Sequence, residues 1–350
     1  MTNLWQQASF DWAYALGKPT AQGSIKLAPD DFRVTELTEV EPAGSGEHVW
    51  LWIEKNKAST DEVAKKLAKL AKVRTMDVGY AGRKDFLART KQWFSVWLPN
   101  KLEPDWAQLD DTTVSVLQAS RHTRKLKLGA HQGNRFRITV RNLSDPDHQL
   151  PSRLEQVANQ GVPNYFGLQR FGREFSNLGK AVHLAEGGNL RIGRKQRGML
   201  LSSARSFLFN QCLSERVKDG SWSSLKMGEP LMLDGSSAYF LAESNSVDLS
   251  SRLEAGDIHP SAPLLGRIDP QSDFRAKTWY QKEQEILKKH DSLGRWLIEW
   301  GLEHQRRATR CLPNDLQSAL NTERLTLDFE LGKGQFATSV LRELLRANGL

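Results

Sequence analysis

The sequence contains little cysteine and no long apolar run. Its 350 residues include two cysteines, Cys212 and Cys311, which lie far apart and have the spacing of neither a zinc site nor a disulfide framework. No uninterrupted apolar stretch approaches the ~20 residues of a membrane span. Residues 1–20 lack the basic and apolar regions of a signal peptide. We therefore expect a cytoplasmic protein that binds neither a metal nor a membrane.

Short motifs that mark common cofactor chemistry are also absent. The sequence has no HExxH, GxSxG, GxGxxG or GxxxxGK(S/T) motif, and it lacks the HxE and PCxxC pair of zinc deaminases. These absences lower the support for reactions that depend on a metal, NAD or ATP. We expect a protein that works without a cofactor.

Acidic residues are missing from two long segments of a chain that is basic overall. Lysine and arginine total 49 against 41 aspartate and glutamate, which gives a formal charge of +8. Residues 112–144 and 187–214 contain no acid. Their basic residues are Arg121, Arg124, Lys125, Lys127, Arg135, Arg137, Arg141, Arg191, Arg194, Lys195, Arg197 and Arg205. Clustered cations are typical of nucleic-acid binding, whereas the simpler alternative is a solvated surface.

Hydrophobic periodicity divides the chain into two kinds of sequence. Alternation predicts strands at 32–34, 49–53, 94–98 and 136–140. The capping box of Ser59 and Glu62 predicts a helix start. Helical stretches dominate from about residue 161, for example at 200–218 and 282–289, before a strand at 325–331 and a capped helix at 338–345.

This order favours a helix-rich block inserted into an α/β domain to which both chain ends contribute. Because basic segments occur in both parts, we expect a basic cleft between the two domains. A structured RNA would fit such a cleft, and duplex DNA is an alternative that charge alone leaves open.

One acidic residue stands out as a candidate nucleophile. The glycine-bearing loop from Gly79 to Trp93 contains a single acid, Asp85, next to Lys84 and close to Arg89. A carboxylate among cations is ionised at neutral pH and can form a covalent intermediate. The alternative is that Asp85 caps a turn or pairs with Lys84 on the surface.

Several motifs occur in a specific order along nearly the whole chain. They are Asp31-Phe32-Arg33-Val34-Thr35-Glu36, Gly44-Ser45-Gly46-Glu47-His48, Gly79-Tyr80-Ala81-Gly82-Arg83-Lys84-Asp85, Gly133-Asn134-Arg135-Phe136, Asn164-Tyr165-Phe166-Gly167, Ser203-Ala204-Arg205-Ser206 and Phe336-Ala337-Thr338-Ser339-Val340. In these motifs the chain resembles the TruD family of tRNA pseudouridine synthases.

The resemblance implies an α/β (α+β) fold. Its parts would be a pseudouridine-synthase catalytic domain with a mixed or antiparallel sheet, formed by residues 1–157 and 316–350, and an inserted helix-rich domain at 158–315. It also implies a reaction, the isomerisation of uridine 13 in the D arm of tRNA to pseudouridine. This isomerisation needs no redox partner, metal or nucleotide cofactor. The target base would have to leave the RNA stack to be reached.

The same resemblance assigns roles to individual residues. Asp85 matches the nucleophile, Phe32, Asn134 and Phe336 match positions that contact the target nucleotide, Phe136 matches a ring stacked near the base, and Lys26 matches a basic active-site position. Core packing is an alternative for the aromatic residues, and a turn is one for Asn134. Asp85 could attack either the sugar or the uracil ring.

We expect tRNA to be the partner of a monomeric protein. The basic residues predicted to contact RNA are Lys84, Arg121, Arg124, Lys125 and Arg170. Two other hypotheses remain, a non-catalytic RNA-binding protein with the same fold and a DNA-binding protein that uses the same charge.

Overall fold

The computed structural model describes residues 10–99, 102–243, 247–269 and 277–348. Its contacts divide the chain into two compact units. The sheet unit contains Thr20–Leu154, Pro313–Gly334 and the described residues from Leu345 onward. The helix-rich unit contains Glu155–Leu312, Gln335–Leu344 and the described residues up to Pro19.

The strands of the described residues are, in chain order, β1 (Gln22–Ser24), β2 (Phe32–Leu37), β3 (His48–Asn56), β4 (Val78–Tyr80), β5 (Arg89–Trp97), β6 (Val114–His122), β7 (Gly133–Ser144), β8 (Val162–Pro163), β9 (Pro230–Leu233), β10 (Tyr239–Leu241), β11 (Ile258–Leu264), β12 (Gln305–Ala308), β13 (Arg310–Cys311), β14 (Asn314–Leu320), β15 (Arg324–Gly332) and β16 (Arg346–Asn348). The α-helices are α1 (Thr60–Leu70), α2 (Leu150–Gln160), α3 (Ser176–Ala185), α4 (Arg194–Lys218), α5 (Val247–Glu254), α6 (Thr278–Leu287), α7 (Asp291–Glu299) and α8 (Ala337–Leu344).

The sheet unit is built on one mixed sheet. Its strands follow the order β14-β15-β7-β2-β5-β3-β6, while β4 pairs with β5, and β1 pairs with both β7 and β16. The pairs β2–β5 and β1–β16 are parallel, and the others are antiparallel. The predicted fold class, a mixed sheet in an α/β protein, is confirmed. The strands expected from alternation correspond to β2, β3, β5, β7 and β15.

Helix α1 covers one face of this sheet. Ser59 accepts a hydrogen bond from the backbone N–H of Glu62, and the Glu62 carboxylate accepts one from the backbone N–H of Ser59, as the capping box predicts. Val63 and Leu67 are buried against the inward row of β3, which contains Val49, Leu51 and Ile53. The helix and the middle of the sheet thereby form one apolar core.

The core of the helix-rich unit lies around α4. Phe207, Phe209 and Leu213 of this helix are fully buried, and the small sheet β10-β9-β11-β12 lies in the same unit. The helix begins at Arg194 rather than near residue 200 as predicted. Its first residues are largely exposed, so they carry no apolar periodicity that could have marked the start.

The contact units differ from the predicted domains at both internal boundaries and at both ends. They divide at 154/155 and 312/313 instead of 157/158 and 315/316, and the described residues up to Pro19 and the segment Gln335–Leu344 group with the helix-rich unit. The reason is visible in α8, where the Ser339 hydroxyl donates to the carbonyl oxygen of Tyr165 at 2.8 Å.

Candidate active site

Asp85 lies in the loop between β4 and β5, and its carboxylate is accessible. The side chain is 41% exposed, and its Oδ2 accepts a hydrogen bond from Lys26 Nζ at 2.9 Å. The predicted alternative of a surface pair with Lys84 does not occur, because Lys84 binds elsewhere. The Asp85 oxygens are therefore presented to solvent with the Lys26 amine beside them.

Lys26 links this carboxylate to an aromatic ring. Its side chain is only 10% exposed, and Nζ lies 4.4 Å from the centroid of the Phe32 ring. The backbone of Lys26 has φ 58°, in the left-handed region that costs a non-glycine residue energy. The structure thus brings together Lys26, Phe32 and Asp85, three of the residues that the sequence predicted.

The loop that carries Asp85 is fixed by buried polar contacts on both sides. Lys84 Nζ pairs with Glu36 Oε2 at 2.8 Å, with the side chains 4% and 1% exposed. The backbone N–H of Lys84 donates to Thr60 Oγ1 at 3.1 Å, and the Thr60 hydroxyl donates to Gln92 Oε1 at 3.0 Å. Gln92 Nε2 in turn donates to the carbonyl oxygen of Gly82 at 2.9 Å. These contacts tie the loop to β2, β5 and the first turn of α1.

Lys55 is a site residue that the sequence analysis missed. Its Nζ donates to the main-chain carbonyl oxygen of Asp85 at 2.8 Å, and its side chain is fully buried. Burial lowers the pKa of the Lys55 amine from 10.5 to about 8, an effect that Lys84 increases and the charges of Asp85 and Glu62 oppose. The available signal was register, since Lys55 continues the inward row Val49, Leu51, Ile53 where an apolar residue is expected.

Three phenylalanine rings lie side by side on the sheet near Lys26. Phe136 stacks on Phe329 with centroids 5.6 Å apart, and its edge meets Phe32 at 6.2 Å. Phe32 and Phe136 are 3% and 8% exposed, respectively. This packing matches the alternative that the sequence left open for both rings, because each belongs to the buried face of its strand. Neighbouring Asn134 has a buried Oδ1 without a hydrogen-bond partner among the described residues.

The predicted RNA contacts lie in different environments. Lys84 is buried in its pair with Glu36, so we do not carry it forward as an RNA contact. Arg121 pairs with Glu103 and bonds the carbonyl oxygen of Leu98. Arg124 is exposed and has no ion-pair partner among the described residues, and the exposed Lys125 donates to the carbonyl oxygen of Met76 at 2.5 Å. Arg124 and Lys125 are the members of this group best placed to meet phosphates.

The basic face of β7 is partly neutralised by acids from elsewhere in the sequence. Arg135 pairs with Asp328 at 2.8 Å on the neighbouring strand β15, and Arg141 pairs with Asp31 at 2.8 Å. Although residues 112–144 contain no acid, the fold brings acids from other parts of the chain to these two arginines. Arg137 keeps an exposed guanidinium without such a pair among the described residues.

Phe336 belongs to the helix-rich unit and lies in a cluster of rings and arginines. Its centroid is 5.9 Å from that of Phe166, and the guanidinium carbons of Arg170 and Arg307 lie 6.0 and 5.8 Å from it. Arg307 Nη2 donates to Asn164 Oδ1 at 2.6 Å. Burial lowers the pKa of Arg307 to about 9. The two arginines thus lie against an aromatic surface, a combination that favours binding of nucleotides.

The described part of the chain offers neither a metal-binding cluster nor a membrane-spanning helix. No group of three or more His, Cys, Asp or Glu side chains in this part of the chain is arranged to hold a metal ion. None of its helices is both long and apolar enough to cross a bilayer.

The fold has a counterpart among solved structures. A crystal structure of a candidate tRNA pseudouridine synthase D (TruD) from Methanosarcina mazei superposes with a TM-score of 0.72. The match covers 97% of each chain at 20% identity, which establishes the shared fold. The two chains therefore have the same architecture.

Sequence comparisons show which family the chain belongs to. The family model described as tRNA pseudouridine synthase D (TruD) matches residues 12–184 and 185–344. The tRNA pseudouridine synthase D of Methylococcus capsulatus is 44% identical over 96% of this chain and 94% of its own length. That of Hydrogenovibrio crunogenus is 40% identical over 95% of both chains. The chain belongs to the TruD family of tRNA pseudouridine synthases, which are isomerases.

Proposed function

We propose that this protein converts uridine 13 in the D arm of tRNA to pseudouridine, with Asp85 as the nucleophile. The observation that carries this proposal is the accessible Asp85 carboxylate, paired at 2.9 Å with the ammonium group of Lys26. A carboxylate that is ionised and partly exposed can attack a carbon of a bound nucleoside. Lys26 orients the oxygen pair and lies against Phe32 at the same time.

The reaction is an isomerisation in which atoms balance without a second substrate. The bond between C1′ of the ribose and N1 of uracil breaks, and a bond between C1′ and C5 forms. N1 gains a proton and C5 loses one. Asp85 forms a transient covalent bond either to the ribose or to the uracil ring and is released unchanged.

The target base must leave the stack of the RNA, at a cost of a few kcal/mol. Phe32 and Phe136 are packed in the sheet, so on the family resemblance we propose them as a wall of the site beside Lys26 and not as open stacking surfaces. Asn134 Oδ1, which has no hydrogen-bond partner among the described residues, can accept the N3–H of uracil. Phe336 is proposed as a further contact with the nucleotide on the basis of the family resemblance. Its neighbours Arg170 and Arg307 supply positive charge next to the ring.

Exposed cations are proposed to hold the rest of the tRNA. Arg124, Lys125 and Arg170 are exposed and able to meet phosphates. Arg121 is half-buried and paired with Glu103, so we do not carry it forward as an RNA contact. We further propose that residues 1–157 and 316–350 form the catalytic domain, that 158–315 form the inserted domain, and that the protein acts as a monomer in the cytoplasm.

Tritium release from tRNA labelled at uracil C5 tests the role of Asp85. Asp85→Asn keeps the size of the side chain but removes the nucleophilic charge, so release is expected to fall to background. Asp147→Asn changes an exposed aspartate of the same unit and is expected to release tritium at the wild-type rate. Equal release by wild type and Asp85→Asn would show that Asp85 is not the nucleophile.

The modified position is tested separately. Carbodiimide treatment and primer extension on an unmodified tRNA transcript should show a stop at position 13, and a transcript with cytidine 13 should show none. Tritium release with a stop elsewhere would keep the enzyme class and reject this specificity. If no release occurs but tRNA binds, the protein is an RNA-binding module, and equal competition by duplex DNA at matched salt would favour DNA as the ligand.

A further inference from the structure

Lys55 occupies a position where the sheet otherwise buries apolar side chains. Val49, Leu51 and Ile53 precede it on the inward face of β3 and are fully buried in the core under α1. Lys55 lies in register with Thr90 of β5 and Val114 of β6, so its strand is paired on both sides and is not an edge strand. A long cationic side chain is therefore enclosed on both sides by paired strands.

No carboxylate among the described residues lies within ion-pair distance of the Lys55 ammonium group. Its acceptor is instead a main-chain oxygen, that of Asp85, at 2.8 Å. A buried lysine without a paired charge destabilises a fold, and an apolar residue of the same length would fill the space at lower cost. Because Lys55 costs stability and yet contacts the loop that carries Asp85, we look for its role in function and not in stability.

We propose that Lys55 is a positioning residue that aims the Asp85 carboxylate by holding the main-chain carbonyl of the same residue. The proposal rests on the proposed nucleophilic role of Asp85. Lys84 and Gln92 fix the loop immediately before Asp85, whereas Lys55 fixes Asp85 itself. With the carbonyl held by Lys55 and Oδ2 held by Lys26, both ends of the aspartate are oriented before the nucleoside arrives.

The geometry excludes direct chemistry by Lys55. Its side chain is fully buried, and its nitrogen is directed at the backbone rather than at the exposed carboxylate oxygens. A proton donor or acceptor for the nucleoside must reach the base, which this amine does not. Lys55 therefore acts through Asp85.

The charge of Lys55 makes this hold sensitive to pH. The charged groups that influence it are Asp85 and Glu62, which favour its protonated form, and Lys84, which opposes it. A protonated amine forms a stronger, charge-assisted hydrogen bond to the carbonyl than a neutral amine does. As pH rises through about 8, the amine is neutralised and the hold on Asp85 weakens.

Lys55→Met tests the proposal because it keeps the length of the side chain and removes the donor. In steady-state tritium release, kcat is expected to fall on the order of 100-fold, the scale of a misplaced reacting group, while KM for tRNA stays about the same. Lys65→Met on the exposed face of α1 is the matched control and should leave both constants unchanged.

Two further measurements separate positioning from a purely structural role. The kcat/KM profile of the wild type should decline above about pH 8, and this alkaline decline should be absent in Lys55→Met. In Lys55→Ala, added propylamine should restore part of kcat by filling the space with an ammonium group, whereas propanol of similar size should not.

The outcomes distinguish this inference from the function on which it rests. If the wild type releases no tritium from tRNA, the proposed function fails. If the wild type releases tritium and Lys55→Met has the same kcat and the same alkaline decline, only the positioning role is overturned. Equal rescue by propylamine and propanol would also overturn it, because filled volume alone would then explain the effect.

Discussion

Three lysines lie at the Asp85 loop, and each holds a different group. Lys26 binds the Asp85 oxygen, Lys55 binds its main-chain carbonyl, and Lys84 pairs with Glu36 in a buried site. The family resemblance brought Asp85 and Lys26 into the predicted site, and the structure places their side chains 2.9 Å apart. The motif was a poor guide to Lys84 as an RNA contact, because a lysine in a sequence motif looks the same whether its side chain is exposed or buried. Its structural partner Glu36 lies 48 positions away.

The buried pair of Lys84 and Glu36 predicts a large loss of stability when one partner is removed. Glu36→Gln keeps an acceptor for the backbone N–H of Trp93 but leaves Lys84 charged and without its counterion. The free energy of unfolding is expected to fall by about 3–5 kcal/mol, measured by urea denaturation. The double variant Glu36→Gln/Lys84→Met removes the uncompensated charge and should recover most of this loss. A change below about 1 kcal/mol in Glu36→Gln would instead indicate a solvated pair.

Lys55 predicts a pH-dependent stability whose sign follows from its lowered pKa. The amine titrates near 8 in the folded protein and near 10.5 when unfolded, so the folded state binds fewer protons between these values. The free energy of unfolding therefore rises with pH across this window, as the cost of the buried charge disappears. Lys55→Met should be more stable than wild type at pH 7, by up to about 3 kcal/mol. The difference should shrink toward pH 10, whereas a constant difference would contradict the lowered pKa.

At the scale of elements, local patterns predicted where the strands lie but not which strands pair with each other. Alternation gave β2, β3, β5 and β7 because one face of each packs on a core, which leaves a period of two in the sequence. Which strands pair depends on residues that are distant in the chain. The bond from Arg135 to Asp328 spans 193 positions, so the neutralisation of the β7 arginines could not be read from the segment that contains them.

The first turn of α1 connects helix stability to the catalytic loop. Ser59→Ala removes one half of the capping box and is expected to lower the free energy of unfolding by about 1 kcal/mol, measured by urea denaturation. The Thr60 hydroxyl, which holds the loop through Lys84 N and Gln92, remains in place. Tritium release should therefore stay close to the wild-type rate.

Thr60→Val provides the contrast to Ser59→Ala. It keeps the shape of the side chain but removes the hydrogen bonds to Lys84 N in the loop and to Gln92 on β5, so activity is expected to fall together with stability. If both variants lowered activity equally, α1 would support the site through its overall stability and not through Thr60.

At the scale of the whole molecule, net charge overstates the cations available for RNA. Several arginines of the acid-free segment 112–144 are paired, namely Arg121 with Glu103, Arg135 with Asp328 and Arg141 with Asp31. An arginine in such a pair can neutralise a phosphate, and so release its counterion, only after its ion pair with the acid has broken. The exposed cations without such pairs among the described residues include Arg124, Arg137, Arg191, Arg194 and Lys195.

This distinction predicts how the affinity for tRNA depends on salt. The logarithm of the association constant should fall linearly with the logarithm of salt concentration, by roughly 0.7–0.9 for each phosphate neutralised. Arg124→Gln removes one unpaired cation, so its slope should be shallower than that of the wild type by about that amount. The double variant Arg121→Gln/Glu103→Gln removes a paired cation together with its partner and leaves the net charge the same, so the wild-type slope is expected. Filter binding of unmodified tRNA over a range of salt concentrations measures these slopes. If the double variant lost as much slope as Arg124→Gln, paired arginines would also contact phosphates, and the total charge would be the better guide to the RNA surface.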